Sequence, residues 1–202
     1  MIELTADQNK IIDAAFKIFE KYGANKTTMA LIAKELGYSR TFLYYYFPDK
    51  ESIYKAALVR RSTQFFDSLK GETKKEISGA KMLENGLKLK VEYAKDFQKF
   101  GESTELDFYK ILRSDPELRY IFTIQPQLLA QIIKIGIKDG SIAKCNPAKT
   151  ALNLMHGLNG NMMILTKTLQ YSGNYGPEGL EQLFKSQIEY VKFLMKAITN
   201  HK

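Results

Sequence analysis

Apolar residues recur at three- and four-residue spacing along nearly the whole chain, and no segment alternates apolar and polar long enough to make a strand. A stripe with that period can be buried only by a helix, so the fold class is fixed first. The punctuation agrees. Thr5-Ala6-Asp7-Gln8 is a capping box, followed by Ile12, Ala15, Phe16, Phe19 and Tyr22 before Gly23 stops the run. Met29, Ile32, Ala33 and Leu36 form a short second stripe, opened by Thr27 or Thr28 and closed by Gly37. Ser39 is placed to cap a third helix that Pro48 terminates. Asp49 caps a fourth, which Ile53, Tyr54, Ala57, Leu58, Arg61 and Phe65 carry toward Gly71. The lysine-rich stretch 72–78 reads as a connection. Residues 80–100 bear two stripes, as in a helix buried between neighbours or lining a cavity. Proline opens three later helices, after Asp115, Asn146 and Gly176, and Pro126 is expected to break or kink the segment 117–139. The last two helices are expected at about 147–170 and 178–199. The chain is all-α.

Composition then narrows the function. Five prolines and thirteen glycines suit long helices rather than a turn-rich sandwich or barrel. The single cysteine, Cys145, leaves no disulfide framework and no cysteine-based zinc site, and fits a reducing cytoplasm. His156 and His201 are far apart, so no histidine cluster has metal-ligand spacing. No apolar run approaches the roughly 20 residues that span a bilayer, and Glu3, Asp7, Lys10 and Asp13 are unlike a secretory signal. A soluble, cytoplasmic protein is expected. The formal net charge of +8 is spread as +1 over residues 1–50, +3 over 51–75 and +4 over 76–202. With no basic tail, any nucleic acid must meet a folded surface.

Three short helices within the first 47 residues, with Gly37 in the turn before the third, have the parts of a helix-turn-helix. Ile32, Ala33 and Leu36 are core, small Ala33 lets two helices cross closely, and Ser39 starts a recognition helix. The helix starts at Thr28 and Ser39 can hold phosphates through free backbone N–H groups. Arg40, in the first turn of the third helix, has the donor geometry for two hydrogen bonds to one guanine. The hydroxyls in Leu43-Tyr44-Tyr45-Tyr46-Phe47 can donate to phosphate oxygens. Leu43 and Phe47, four apart, are assigned to the core, and Phe42 is free either to meet thymine methyls or to point inward.

The block Thr27–Lys50, above all Leu43–Lys50, resembles the DNA-binding domain of TetR-family transcriptional repressors, with a motif match over about residues 10–58. Beyond it the layout of helices agrees, as does the stretch Ile135-Gly136-Ile137-Lys138-Asp139-Gly140-Ser141. The resemblance implies a helix-turn-helix domain over residues 1–48 and a helical effector-binding and dimerisation domain over 49–202. It places Arg40, Thr41, Tyr44 and Tyr45 against base edges and backbone in the major groove. Thr27, Thr28, Tyr46 and Lys50 match positions that grip phosphates.

In the rest of the chain there is no nucleophile paired with a base, no paired carboxylates and no phosphate-cradling glycine loop, so neither an enzyme nor a cofactor or metal site is expected. The resemblance implies a sensor for a small hydrophobic effector. Its apolar stock would be Tyr93, Phe97, Phe100, Tyr109, Phe122 and Met163, with His156 and Asn159 as the polar groups. The final helix and the one before it bear wide stripes, with Gly157 and Gly160 allowing close approach. Leu158, Met162, Leu183, Phe184, Gln187, Val191 and Leu194 are therefore expected at a homodimer interface. The reading is a ligand-released repressor that binds double-stranded DNA at an inverted repeat. A helical enzyme or small-molecule carrier with an incidental helix-turn-helix start remains the alternative, and so does a DNA-binding regulator without a ligand.

Overall fold

Local signals decide most of the helix ends. A computed structural model of the chain describes residues 4–99 and 114–199, with side chains at 96–99, 117, 121 and 122 left aside. Its helices are α1 Ala6–Lys26, α2 Met29–Leu36, α3 Arg40–Tyr46, α4 Lys50–Glu72, α5 Gly79–Lys99, α6 Pro116–Lys138, α7 Pro147–Tyr171 and α8 Pro177–Ile198. The described residues contain no strand, only a single bridge between Ile142 and Thr199.

The capping box forms as the sequence predicts: Gln8 N–H donates to the Thr5 hydroxyl, and Thr5 N–H donates to the Gln8 side chain. Gly23 leaves the helical region at φ 74°, which ends the regular part of α1 one turn before Lys26. Asp49 accepts the Ser52 N–H at 2.7 Å and so starts α4. Of the break or kink expected at Pro126, the break does not occur, because the helix Pro116–Lys138 runs through it. The proline ring removes one helical hydrogen bond. Burial of Leu129, Ile132 and Ile133 on the next two turns offsets that loss.

Two compact units divide the chain, Met1–Gln64 with Asp96–Ile121, and Phe65–Lys95 with Phe122–Lys202. In the first, Ile11, Ile12, Ala15 and Phe19 of α1 share one apolar core with Ile32, Ala33, Leu43 and Phe47. Ile53, Tyr54, Ala57 and Leu58 of α4 and Leu118 of α6 join the same core. Tyr54 meets Phe19 edge-on at 5.4 Å. Arg60 of α4 reaches back to α1, donating to the Asn9 carbonyl and to Asp13.

In the second unit α5 and α6 run antiparallel at very close range. Gly79 lies so near the Gly136 backbone that no Cβ would fit, and Gly86 faces Leu129 and Ile132. The turn after α6 caps the start of α5: the Asp139 carboxylate accepts Gly79 N–H at 2.7 Å, and the Ser141 hydroxyl accepts Ala80 N–H at 2.9 Å. Helices α7 and α8 pack on each other through Leu154, Met155 and Leu158 on one side and Leu183, Phe184, Val191 and Met195 on the other, all buried.

Candidate nucleic-acid interface

The turn between α2 and α3 is built by Gly37, whose φ of 72° lies in the left-handed region that side chains with a Cβ resist. Its N–H donates to the Ala33 and Lys34 carbonyls, and Tyr38 N–H donates to Ala33 at 3.1 Å, so the end of α2 is closed off. Both helices of the pair are capped at their start by a hydroxyl. Thr28 accepts Leu31 N–H at 3.2 Å, and Ser39 accepts Phe42 N–H at 3.2 Å.

This turn rolls α3 so that its two faces differ completely. Leu43 is fully buried and Phe47 nearly so, pinning the helix to α1 and α2. On the opposite face Ser39, Arg40, Thr41, Tyr44 and Tyr45 are all exposed. Tyr44 is 52 % exposed and Tyr45 83 % exposed, so both phenols face outward. A guanidinium, two hydroxyl-bearing side chains and two phenols on one helix face are donors of the kinds that can hydrogen-bond to base edges and phosphates.

Phe42 is settled by the structure. It is half-buried, stacked on Tyr38 at 4.4 Å and met edge-on by Tyr46 at 5.1 Å, which in turn meets Tyr45 at 5.0 Å. This ladder of rings braces α3 along its flank. Tyr46 completes it by donating its hydroxyl to Asp7 of α1 at 2.8 Å. The Tyr46 bond, with help from Lys10, holds the Asp7 carboxyl below its ordinary range, and the same bond raises the Tyr46 phenol.

Three residues expected to grip phosphates are thus engaged within the chain. Thr27 is buried and donates its hydroxyl to the Gly23 carbonyl at 2.8 Å, so it fastens the end of α1 instead of facing outward. Tyr46 is held by Asp7. Lys50 donates to the Ala24 carbonyl at 2.8 Å and to Asn25 at 3.4 Å, tying the start of α4 to the end of α1. Thr28 is exposed as expected, with its hydroxyl oxygen in use as a cap. The sequence signal for Tyr46 and Asp7 lay 39 positions apart, beyond any local pattern.

Of the expected effector residues, Tyr93 is buried and stacks on Phe65 at 4.8 Å. His156, Asn159 and Met163 lie exposed on α7, spaced so as to share a face with exposed Leu152. Phe100 and Tyr109 fall outside the described residues, as do the side chains of Phe97 and Phe122.

The stripe expected between two copies is spent inside one. Leu158, Leu183, Phe184, Gln187 and Val191 are buried between α7 and α8, with Met162 and Leu194 half-buried, so Val191 at 0 % exposure has no surface left for a partner. The free apolar surface of this helix pair is Leu152, Met163, Ile164 and Phe193. Gly160 opens onto empty space, whereas Gly157 is pressed against the Tyr190 hydroxyl.

Comparison with known proteins agrees with this geometry. Residues 11–57 match the family of bacterial regulatory proteins, tetR family. The chain is 26 % identical over 148 residues to the HTH-type transcriptional regulator RutR of Escherichia coli K12, covering 71 % of this chain and 68 % of that one. It is 27 % identical to a transcriptional regulator from Cytophaga hutchinsonii, with a TM-score of 0.80 over 97 % of this chain and all of the other. The fold is also that of SmeT, the repressor of the Stenotrophomonas maltophilia multidrug efflux pump SmeDEF, at 16 % identity and a TM-score of 0.65 over 98 % and 92 % of the two chains. With the helix-turn-helix, its all-α continuation and these likenesses in agreement, the N-terminal helix-turn-helix is a tetR-family DNA-binding domain, and the chain as a whole is similar to TetR-family transcriptional regulators.

Proposed function

We propose that this regulator is a repressor that binds an inverted-repeat operator as a homodimer and is released by a small hydrophobic ligand. The observation that carries the DNA reading is the outward face of α3, where Arg40, Thr41, Tyr44 and Tyr45 stand exposed while Leu43, the Phe42–Tyr46 ladder and the Asp7 clamp fix the helix behind them. A fixed scaffold costs little to order on binding, so the base contacts are not offset by an entropic loss. Arg40 is assigned to direct base readout, and Ser39, Thr41, Tyr44 and Tyr45 to base edges and backbone. Thr28 and Lys50 serve the phosphates at the two flanks, Lys50 by exchanging its carbonyl partners for a phosphate. The division of labour follows the chain, with residues 1–48 reading DNA and 49–202 sensing and pairing.

Pairing of two copies is supported by the exposed face of α7 and α8. Leu152, Met163, Ile164 and Phe193 present apolar surface there, and Gly160 leaves room for a neighbouring helix. His156 and Asn159 share that face and would lie in the same contact. An inverted-repeat operator read by two copies needs their recognition helices about 34–36 Å apart, the spacing of successive major grooves. SmeT, which has this fold, is a repressor, and that supports the direction of control. The effector is assigned to the second unit, where the Phe65–Tyr93 stack supplies aromatic surface.

The test is titration of the protein into labelled DNA from upstream of its own gene, searched for an inverted repeat. Saturation at two chains per repeat, with affinity falling steeply as salt rises, is expected. Equal affinity for a scrambled duplex would refute specific readout.

A further inference from the structure

Helix α3 has only seven residues, too few to hold its shape or direction without neighbours. Leu43 and Phe47 seat it in the core and fix its roll. Apolar contacts are non-directional, so they set depth and roll more firmly than tilt. Direction comes from a polar bond. Among the described residues, the Tyr46 hydroxyl donating to Asp7 at 2.8 Å is the one side-chain hydrogen bond that joins α3 to another helix.

Asp7 is well placed to supply that direction. It lies in the first turn of α1, where free backbone N–H groups favour an anion, and its carboxylate also accepts from the Lys10 ammonium at 3.1 Å. The turn that follows is anchored. Ile11 and Ile12 are fully buried, and Arg60 of α4 donates to the Asn9 carbonyl at 3.3 Å. The Tyr46 bond holds the Asp7 carboxyl below its ordinary range and the phenol above its own. At neutral pH the acceptor is therefore charged and the donor keeps its proton, the pairing that makes a hydrogen bond short and strong.

With its phenol end pinned, the Tyr46 ring passes the constraint on. It meets Tyr45 edge-on at 5.0 Å and Phe42 at 5.1 Å, and Phe42 stacks on Tyr38 at 4.4 Å. Tyr46 is the one ring against Tyr45 among the described residues, so the exposed Tyr45 takes its bearing from it. Hydrogen bonds to base edges weaken steeply when a donor is turned, whereas attraction to the phosphate backbone tolerates small displacements. We propose that Asp7 is a positioning residue for DNA readout: acting through Tyr46 on Tyr45 and on the direction of α3, it contributes to operator preference without touching a base. This role rests on the reading of α3 as the face that recognises the operator. It keeps the Tyr46 hydroxyl on Asp7 in the complex, where the family resemblance implies a grip on phosphate.

The experiment titrates the full chain as wild type, Asp7→Ala, Tyr46→Phe and the double variant onto the inverted repeat and a scrambled duplex, with thermal melting of each protein. Each single variant is expected to narrow the preference for the repeat about fivefold, the factor that one net hydrogen bond is worth, and the double variant no further. Affinity for the scrambled duplex should not fall. A lowered melting temperature with an unchanged ratio of the two affinities would make Asp7 merely structural and overturn the proposal. Effects that multiply in the double variant overturn it too, because Asp7 would then act by another route. So does a Tyr46→Phe variant that weakens both duplexes by one factor, the mark of a phenol that leaves Asp7 for a phosphate. Tyr46→Phe keeps the ring and its contacts, so it decides the matter even if Asp7→Ala folds poorly. Full wild-type preference in Tyr46→Phe overturns the proposal alone, whereas a wild type without preference for the repeat overturns the operator reading and the proposal with it.

Discussion

Replacing Lys90 by methionine should stabilise this protein, against the usual effect of a core substitution. The two side chains are unbranched and of similar length, so packing is largely kept while the charge is removed. Burial lowers the amine from 10.5 to about 8 in the folded chain, and the unfolded chain restores the ordinary value. At roughly 1.4 kcal/mol per pKa unit this is a penalty of about 3 kcal/mol on the folded state, full at pH 7, where both states carry the proton. Between about pH 8 and 10.5 the unfolded chain holds the proton and the folded chain does not, so wild-type stability gains with rising pH over that window and the penalty is gone above it. Urea unfolding of both proteins at one fixed concentration measures it. The variant should be more stable by about 3 kcal/mol at pH 7 and by much less at pH 10.5. A gain of the same size at both pH values, or no gain at pH 7, would refute the claim that burial disfavours the Lys90 charge.

Further outcomes follow from the other observations. Arg40→Ala should cost roughly 1–3 kcal/mol in operator binding and relax base preference at one position per half-site, read by binding to a set of single-base operator variants. Gly37→Ala should lower stability by roughly 1–2 kcal/mol through its left-handed backbone alone, since nothing lies near the added carbon, and thermal melting checks it. Phe193→Glu, at a position 64 % exposed, should leave the fold intact and shift sedimentation toward a single chain. Val191→Lys, at a position fully buried between α7 and α8, should unfold the chain instead, as far-ultraviolet circular dichroism will show.

What could be read from the sequence was what short-range physics decides. The Thr5–Gln8 box, the Ser39 and Asp49 caps and the Gly23 and Gly37 stops each depend on contacts within four residues, and each falls where the pattern places it. Which residues of α3 face outward was legible for the same reason, because α3 is short and Leu43 and Phe47 fix its roll. Contacts across the chain were not. Tyr46 and Lys50 carry donors suited to phosphate, and only the folded chain reveals Asp7 and the Ala24 carbonyl waiting for them. The stripe through Leu183, Gln187 and Val191 has the period of an interface and the period of a core alike, and helix α7 of the same chain claims it. Lys90 interrupts an apolar stripe on paper as a solvated lysine would, and only the folded chain shows that it is buried.

The central claim is that the exposed face of α3 reads a particular DNA sequence, and one titration tests it most directly. Wild type and Arg40→Ala are each bound to the inverted repeat and to a scrambled duplex at about 50 mM and about 200 mM salt. The account predicts that wild type prefers the repeat at both salts, that affinity for both duplexes falls steeply with salt, and that Arg40→Ala narrows the preference while leaving scrambled binding nearly unchanged. A wild type that binds both duplexes equally, or an Arg40→Ala variant that keeps the full preference, would contradict it.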